Sequence, residues 1–232
     1  MGLLAFAVHT RAQQGIIVDA NAEPRAINSS FSSIKVTGGI NLYLAQGDVE
    51  SIAVSASDQG FRDGIKTIVE KGRLRIYYEG EKGWGIKNKK LKVYVSCKTI
   101  AKIEASGASD VTVVTGYLQA DALSLSFSGA SDFKGDVKVK ELELDLSGAS
   151  DITISGTASS VKVASSGASD IKGYGLVTDV LNANASGASD INITVNKEIN
   201  AHASGASNIY YRGEARLKEV HSSGASSIGK KG

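Results

Sequence analysis

Five carboxylates recur at equivalent places in this 232-residue sequence, each closing a Ser-Gly-Ala-Ser-Asp pentapeptide. They are Asp110, Asp132, Asp151, Asp170 and Asp190. If the pentapeptides stack, neighbouring carboxylates lie about 5 Å apart and repel by about 1 kcal/mol in water. Bound calcium would relieve that repulsion, because calcium takes about six to eight oxygen ligands and each copy supplies Asp, Ser and carbonyl oxygens. The five aspartates are therefore a candidate calcium ladder, with hydrogen bonds from backbone N–H groups as the alternative.

The pentapeptide also has a purely structural interpretation, as a tight corner. Glycine permits a positive φ, and the flanking serines can bond to the backbone or to each other along a stack. The residue after the glycine is alanine in every copy. We predict that this alanine packs inward, where space is small.

A second candidate site is the basic segment 81–92, EKGWGIKNKKLK. A tryptophan between two glycines, surrounded by lysines, can stack on a sugar or meet an anionic polymer. The alternative is that the tryptophan plugs an open end of the fold while the lysines block edge-to-edge pairing. The candidate ligand-binding residues are Trp84, Lys87, Lys89 and Lys90.

Two histidines, His202 and His221, each precede a corner serine by two residues. They should share one outward column in adjacent coils, where two imidazoles could hold a transition metal. The third member of that column is Asn184, a poor ligand, so a solvated ladder is the alternative. No metalloprotease motif or phosphate loop is present, and Cys97 falls on the apolar face of a strand, as expected for a buried thiol.

The spacing of the corners indicates the fold that positions these residues. The corner glycines are separated by 22, 19, 19, 20, 18 and 19 residues. A fixed period of this kind is typical of stacked coils. Apolar residues recur three positions before and five positions after each corner serine, as in half-buried strands. Glycines at a second corner are Gly116, Gly135, Gly156, Gly173 and Gly213. We predict an all-β, right-handed parallel β-helix of about 19-residue coils.

An earlier, variant copy begins at Gly38, where Ile34 aligns with Ile103 and Leu42 with Val111. The region between the copies is irregular, with a predicted hairpin turn at Lys71-Gly72-Arg73. It holds either two or three coils with broken repeats or a hairpin cap. We expect residues 31–229 to form one domain, irregular over 31–100 and regular over 101–229. Residues 13–30 are expected to be a loosely held lead-in.

Composition limits the classes of function. A net charge of +2 gives no reason to expect a nucleic-acid partner, and a single cysteine excludes an intramolecular disulfide. Residues 1–12 contain a short apolar run with small residues at Thr10 and Ala12, and are expected to be the remnant of a signal peptide. No run approaches the roughly 20 apolar residues of a spanning helix. An exported protein, soluble or peripheral to the outer membrane, is therefore expected.

Several motifs together carry a family resemblance. Gly39-Ile40-Asn41 follows Ile34-Lys35-Val36, and Leu74-Arg75-Ile76 and residues 91–95 (LKVYV) precede the corners. In this combination, over about residues 31–229, the chain resembles the auto-transporter adhesin head-domain family named for its Gly-Ile-Asn motif. The resemblance implies a bacterial, largely Bacteroidetes-type, exported β-helix with an adhesive role. It brings no catalytic residues.

We therefore expect a non-enzymatic protein of the periplasm, the cell surface or the secreted fraction. Its partner would be a glycan, another polymer or a surface protein, and no cofactor is expected beyond structural calcium. One alternative is a polysaccharide lyase or hydrolase on the same fold, with its site in the irregular region 47–100. Against it, the acids are themselves the repeat, whereas an active site breaks a repeat. The other alternative is an envelope scaffold whose stacked ends associate into homo-oligomers.

Overall fold

The computed structural model describes residues 19, 21–80 and 89–231, and nearly all of the regular structure is β. The first part of the chain contains β1 Glu23–Arg25, β2 Ser33–Thr37, β3 Asn41–Gln46, β4 Ser51–Ser55, α1 Gln59–Gly64, β5 Ile65–Glu70, β6 Arg73–Tyr78 and β7 Lys92–Cys97. The second part contains β8 Lys102–Ser106, β9 Val111–Thr115, β10 Leu118–Phe127, β11 Phe133–Leu146, β12 Asp151–Ser165, β13 Asp170–Ala185, β14 Asp190–Ala203, β15 Asn208–Arg212, β16 Arg216–Ser222 and β17 Ser227–Lys230.

From β8 onward the chain winds into parallel coils. Each strand pairs in parallel with the strand about one repeat later, so Leu142 lies opposite Val161, and Val161 opposite Leu181. The stack is a β-solenoid of about seven turns with coils about 19 residues apart. The parallel β-helix predicted from the corner spacing is confirmed.

The second corner is a bend within continuous strands. Strands β11 to β14 are each 14–16 residues long, and β11, β12 and β13 run through the second-corner glycines Gly135, Gly156 and Gly173. Gly156 has φ +111°, and an added Cβ there would overlap the carbonyl of Val137 in the preceding coil. Glycine therefore lets the strand turn at this point while its ladder to the next coil continues.

The core is a set of apolar columns that run the length of the solenoid. The predicted inward positions are almost fully buried in the regular coils; examples are Ile103, Leu125, Leu144, Val163, Ile152, Ile171, Ile191 and Ile209. Toward the C-terminal end, the buried position three residues before the corner serine is occupied by the smaller alanine, at Ala183 and Ala201. Cys97 is buried in the same core, as predicted, and burial raises the pKa of its thiol to about 11.

The variant copy at Gly38 stacks directly on the first regular coil. Ile34 lies opposite Ile103, and Leu42 opposite Val111, as the alignment predicted. Its other side pairs with β6 and β7, which come later in the chain. Strands β2 and β3 thus form the second layer of the stack, and β6 and β7 form the outermost coil.

Additional antiparallel strands and a helix cap this outer coil. Strand β5 pairs with β6 through the predicted hairpin, where Lys71 and Gly72 both have positive φ. Strand β4 pairs with β7, and β1 with β4. Helix α1 was not predicted. Asp58 caps its N-terminus by accepting the Phe61 N–H at 2.9 Å, and Phe61 packs against the core. Both hypotheses for this region therefore hold in part: one further coil and a cap.

The predicted lead-in is more firmly held than expected. Asp19 accepts a hydrogen bond from the Tyr94 hydroxyl at 2.9 Å, and Glu23 forms an ion pair with Arg62 at 2.6 Å. The Tyr94 and Asn21 donors keep the pKa of Asp19 at about 2 although burial opposes them. The predicted signal peptide, residues 1–12, lies outside the described residues.

The last coil differs from the capped end. Its inward residues are covered on one side only, and Leu217 is 44% exposed while Val220 and Ile228 are half-buried. No helix in the described part of the chain has the length and apolar character needed to cross a bilayer.

Candidate binding surface

The corner of each coil is built from glycine in the left-handed region. Gly148 and Gly167 both have φ +81°. The N–H of Ala149 donates to the carbonyl of Gly129 at 2.7 Å, and that of Ala168 to Gly148 at 2.7 Å. Successive corners are thus joined by backbone hydrogen bonds, and the corner column is a rigid edge of the solenoid.

The prediction that the corner alanine packs inward is wrong. Ala168 and Ala206 are exposed, and the serine that follows each of them is fully buried. The Ser207 hydroxyl donates to the carbonyls of Ser204 at 2.8 Å and of Ala185 at 3.1 Å. Burial alternates through the corner as it does along the strands, with Ser165, Ser169 and Ile171 inside and Ala168 outside. A serine fits there since its buried hydroxyl finds hydrogen-bond partners in the backbone of the corner.

The five aspartates form an outward column beside the corner. Asp132 accepts the N–H of Asp151 at 3.1 Å, and Lys172 reaches Asp151 at 2.8 Å. At the end of the column Asn208 donates to Asp190 at 2.8 Å. Burial raises the pKa of Asp110, and the negative charge of Asp132 raises it further, while a backbone hydrogen bond partly opposes both.

These contacts supply some of the neutralisation for which calcium was invoked. Within the described residues, no group of three or more His, Cys, Asp or Glu side chains is arranged to hold a metal ion. The aspartates line up along the stack and do not converge on one point. Calcium binding at Asp110, Asp132, Asp151, Asp170 and Asp190 stays a prediction.

The basic segment falls between β6 and β7 in the chain. Strand β6 stacks on β2, and β7 stacks on β3. Trp84 and Lys87 lie outside the described residues. The Lys89 ammonium lies 4.3 Å from the Tyr78 ring centroid. Lys90 has φ +48°. The role of Trp84, Lys87, Lys89 and Lys90 in binding stays a prediction.

The histidine column is present as predicted. Asn184 lies opposite His202, and His202 opposite His221, in consecutive coils. The two imidazole rings stack with centroids 5.0 Å apart and planes within 19°. In the neighbouring column the Asn200 amide donates to the Asn182 side-chain oxygen at 2.9 Å. The amides and imidazoles are thus ordered along the coil axis.

A groove of about 360 Å³ runs along this column toward the corner, and we call it the histidine groove. Its outward-facing lining includes Asp145, Asn184, Ser186, His202, Ser204 and His221. Alignment of the repeats located the two histidines and Asn184. It did not show that Ser186 and Ser204 of the corner line the same groove, because no direction had been predicted for their side chains.

One protein family, described as “Putative auto-transporter adhesin, head GIN domain”, matches residues 30–215 of this chain. A solved structure of a “putative adhesin” from Bacteroides fragilis aligns with a TM-score of 0.82 at 21% identity, over 90% of this chain and 96% of that one. A “putative adhesin” from Parabacteroides distasonis aligns at 0.72 and 20% identity, over 90% and 96%. A “Putative lipid binding protein” from the same organism aligns at 0.68 and 19%, over 92% and 98%. At these identities the likeness shows the fold alone. No curated protein matches the chain.

Proposed function

The chain belongs to the family described as “Putative auto-transporter adhesin, head GIN domain”, and from that membership we propose that it is an exported, non-enzymatic protein that binds a linear polar glycan at the cell envelope. Export is supported by the adhesin family. The glycan is supported by the chemistry of the histidine groove.

The stacked pair His202 and His221 is the observation that carries the proposal. Each imidazole offers a flat ring face and polar edges, and the rings repeat at the spacing of the coils. Asn184 continues the same column with an amide, and Ser186 and Ser204 also line the groove. Donors and acceptors repeated at about 4.8 Å along a straight groove suit a polymer whose hydroxyl groups also repeat.

The composition of the groove also supports binding without catalysis. Glycoside hydrolysis by the common mechanisms uses two carboxyl groups that flank the scissile bond. Asp145 is the one carboxylate among the residues that line the histidine groove. The thiol of Cys97 is buried and its pKa is raised, so it stays protonated at neutral pH.

The test is binding of neutral linear polysaccharides, using arrayed cellulose-, xylan- and chitin-type oligosaccharides as probes, followed by titration. The double variant His202→Ala/His221→Ala should bind at least about tenfold more weakly, equivalent to about 1.4 kcal/mol. The matched control is Thr157→Ala/Ser159→Ala, two exposed positions beyond the second corner, which should bind like the parent. Binding that survives loss of both histidines, or cleavage of a bound polysaccharide, would contradict the proposal.

A second candidate function, end-to-end association of copies as a scaffold, is favoured by the last coil. Within the described residues, β16 pairs with β14 and β17 with β15, and neither pairs with a further strand on its outer side. Leu217, Val220 and Ile228 are exposed or half-buried apolar residues at that end. Sedimentation of the full chain would show oligomers that Leu217→Lys dissociates; a monomer at all concentrations would exclude this role.

A further inference from the structure

Two cations lie next to each other on the face that follows the corner. Thr194 lies opposite Arg212, and the Lys231 N–H donates to the Tyr211 carbonyl at 2.8 Å, which continues the ladder by one coil. Arg212 and Lys231 therefore occupy adjacent coils of one column. Two cationic side chains at neighbouring positions of one column can attract an anion to this part of the surface.

Tyrosine rings hold both cations. The Arg212 guanidinium carbon lies 4.2 Å from the Tyr174 ring centroid, and the Lys231 ammonium 3.8 Å from that of Tyr210. The register of the ladder shifts between Gly173 and Val177, and Tyr174 lies within this irregularity of β13. A ring face positions a cation without cancelling its charge, so both groups can still bind an anion.

Other lysines of the regular coils are held differently. Lys140 pairs with Asp121 at 2.8 Å, and Lys197 with Asp179 at 2.9 Å. By contrast, no carboxylate of a described residue lies within 4.0 Å of the side-chain nitrogens of Arg212 or Lys231. The nearby Glu214 is engaged by Lys230 at 2.9 Å.

The column of corner aspartates ends in the same two coils. The positions that hold Asp in the five preceding copies hold Asn208 and Ser227 here. The acidic column therefore stops in the coils where Arg212 and Lys231 begin. This change of sign along one face leaves a local positive site on a chain with a net charge of only +2.

We infer that Arg212 and Lys231 form an oxyanion site that binds the carboxylate or sulfate groups of an acidic polysaccharide. The planar guanidinium can bind an oxyanion through two parallel N–H groups, and the ammonium adds a second charge one coil away. The inference rests on the proposed function in one respect, because the carrier of the anion is taken to be a glycan. The site itself lies on a different face from the histidine groove.

The experiment titrates the full chain with polygalacturonate and dextran sulfate, with uncharged dextran as a blank, at low and physiological ionic strength. The double variant Arg212→Gln/Lys231→Gln should bind the acidic polymers at least about tenfold more weakly. Lys140→Gln/Lys197→Gln also removes two positive charges, but from lysines that are paired with carboxylates. It should change binding less than about twofold. Tyr174→Leu/Tyr210→Leu should give an intermediate loss of about threefold, since the rings position the two cations but carry none of their charge.

The outcomes separate this site from the histidine groove. Preference for polygalacturonate would identify carboxylate as the ligand, and preference for dextran sulfate would identify sulfate. Equal losses in the two charge-matched doubles would overturn the site, because net charge alone would then explain binding. Preferential binding of polyglutamate or of single-stranded DNA over both polysaccharides would contradict the inference that the anion is carried by a glycan. His202→Ala/His221→Ala should retain the acidic polymers, so the two proposals can fail independently.

Discussion

Gly148 packs so closely on Gly129 of the preceding coil that a Cβ built on Gly148 would lie 2.6 Å from the Gly129 carbonyl oxygen. The same oxygen accepts the Ala149 N–H at 2.7 Å. The corner glycine is therefore required twice, once for its positive φ and once for the approach of the next coil. The repeated corner in the sequence follows from these two requirements.

Gly148→Ala should destabilise the protein by about 3 kcal/mol or more. About 1–2 kcal/mol comes from a left-handed conformation with a Cβ, and the remainder from overpacking against Gly129. Gly72→Ala is the matched control, because Gly72 has φ +74° but no atom within 4 Å of an added Cβ. Urea denaturation should give a smaller loss for Gly72→Ala, and equal losses would show that the contact between coils contributes nothing.

Ser207→Ala tests which side of the corner is buried. The substitution removes a hydroxyl that donates to two carbonyls and accepts the Ser204 N–H at 3.2 Å, so we expect a loss of about 1–3 kcal/mol. Ala206→Ser changes an exposed position and should stay within about 0.5 kcal/mol of the parent. If Ala206→Ser destabilised the protein more than Ser207→Ala, the assignment of inward and outward residues would be reversed.

The columns were predictable because strand periodicity is local. Ile34 and Ile103, or Asn184 and His202, align once each copy is placed on its corner. The period of two also continues through the corner, where Ser165, Ser169 and Ile171 are buried and Ala168 is exposed. The inward prediction for Ala168 was based on the small size of alanine and did not apply this period.

Other parts of the surface could not be read from one sequence because they depend on contacts between distant segments. The position of β2 below β6 follows from pairings across about 40 residues. Helix α1 has six residues and covers the core with Phe61, too little for helical periodicity to be visible. Arg212 contacts the ring of Tyr174, and Lys231 contacts the ring of Tyr210. Each tyrosine belongs to an earlier coil than the cation that it contacts, so one sequence does not reveal these pairs.

Asp110→Asn should stabilise the protein at neutral pH. Burial raises the pKa of Asp110 in the folded state, so the folded protein binds that proton more readily than the unfolded chain does. The unfolding free energy contributed by this group is present at low pH and is lost as pH rises through the folded pKa. Asparagine carries no charge, so the variant does not lose this stability as the pH rises. The gain in unfolding free energy should be below about 1 kcal/mol because the side chain is half-exposed.

Denaturation of Asp110→Asn and of the parent between about pH 3 and pH 7 measures this difference. The two stabilities should converge as the pH falls and separate as it rises. Asp121→Asn is the control, because Asp121 is exposed and paired with Lys140, and it should show no gain at neutral pH. A difference between parent and Asp110→Asn that is independent of pH would contradict the role given to burial.

Calcium on the aspartate column can be tested by thermal melting with calcium and with chelator. An ion that bridges neighbouring coils would raise Tm, and Asp132→Asn/Asp170→Asn would abolish the rise while leaving the Lys172–Asp151 pair in place. The same Tm in calcium and in chelator would leave hydrogen bonds and Lys172 as the source of neutralisation.

Trp84 is the single tryptophan of the chain, so its fluorescence reports on the basic segment alone. If Trp84, Lys87, Lys89 and Lys90 bind a sugar, a polysaccharide should shift or quench the emission, because stacking changes the surroundings of the indole. Lys87→Ala/Lys90→Ala should then weaken the response by about tenfold. A glycan that binds in the histidine groove should leave the emission unchanged, while His202→Ala/His221→Ala removes its binding. Emission that responds to no polysaccharide, alongside binding measured by titration, would exclude the basic segment and leave the histidine groove and the Arg212–Lys231 column to account for recognition.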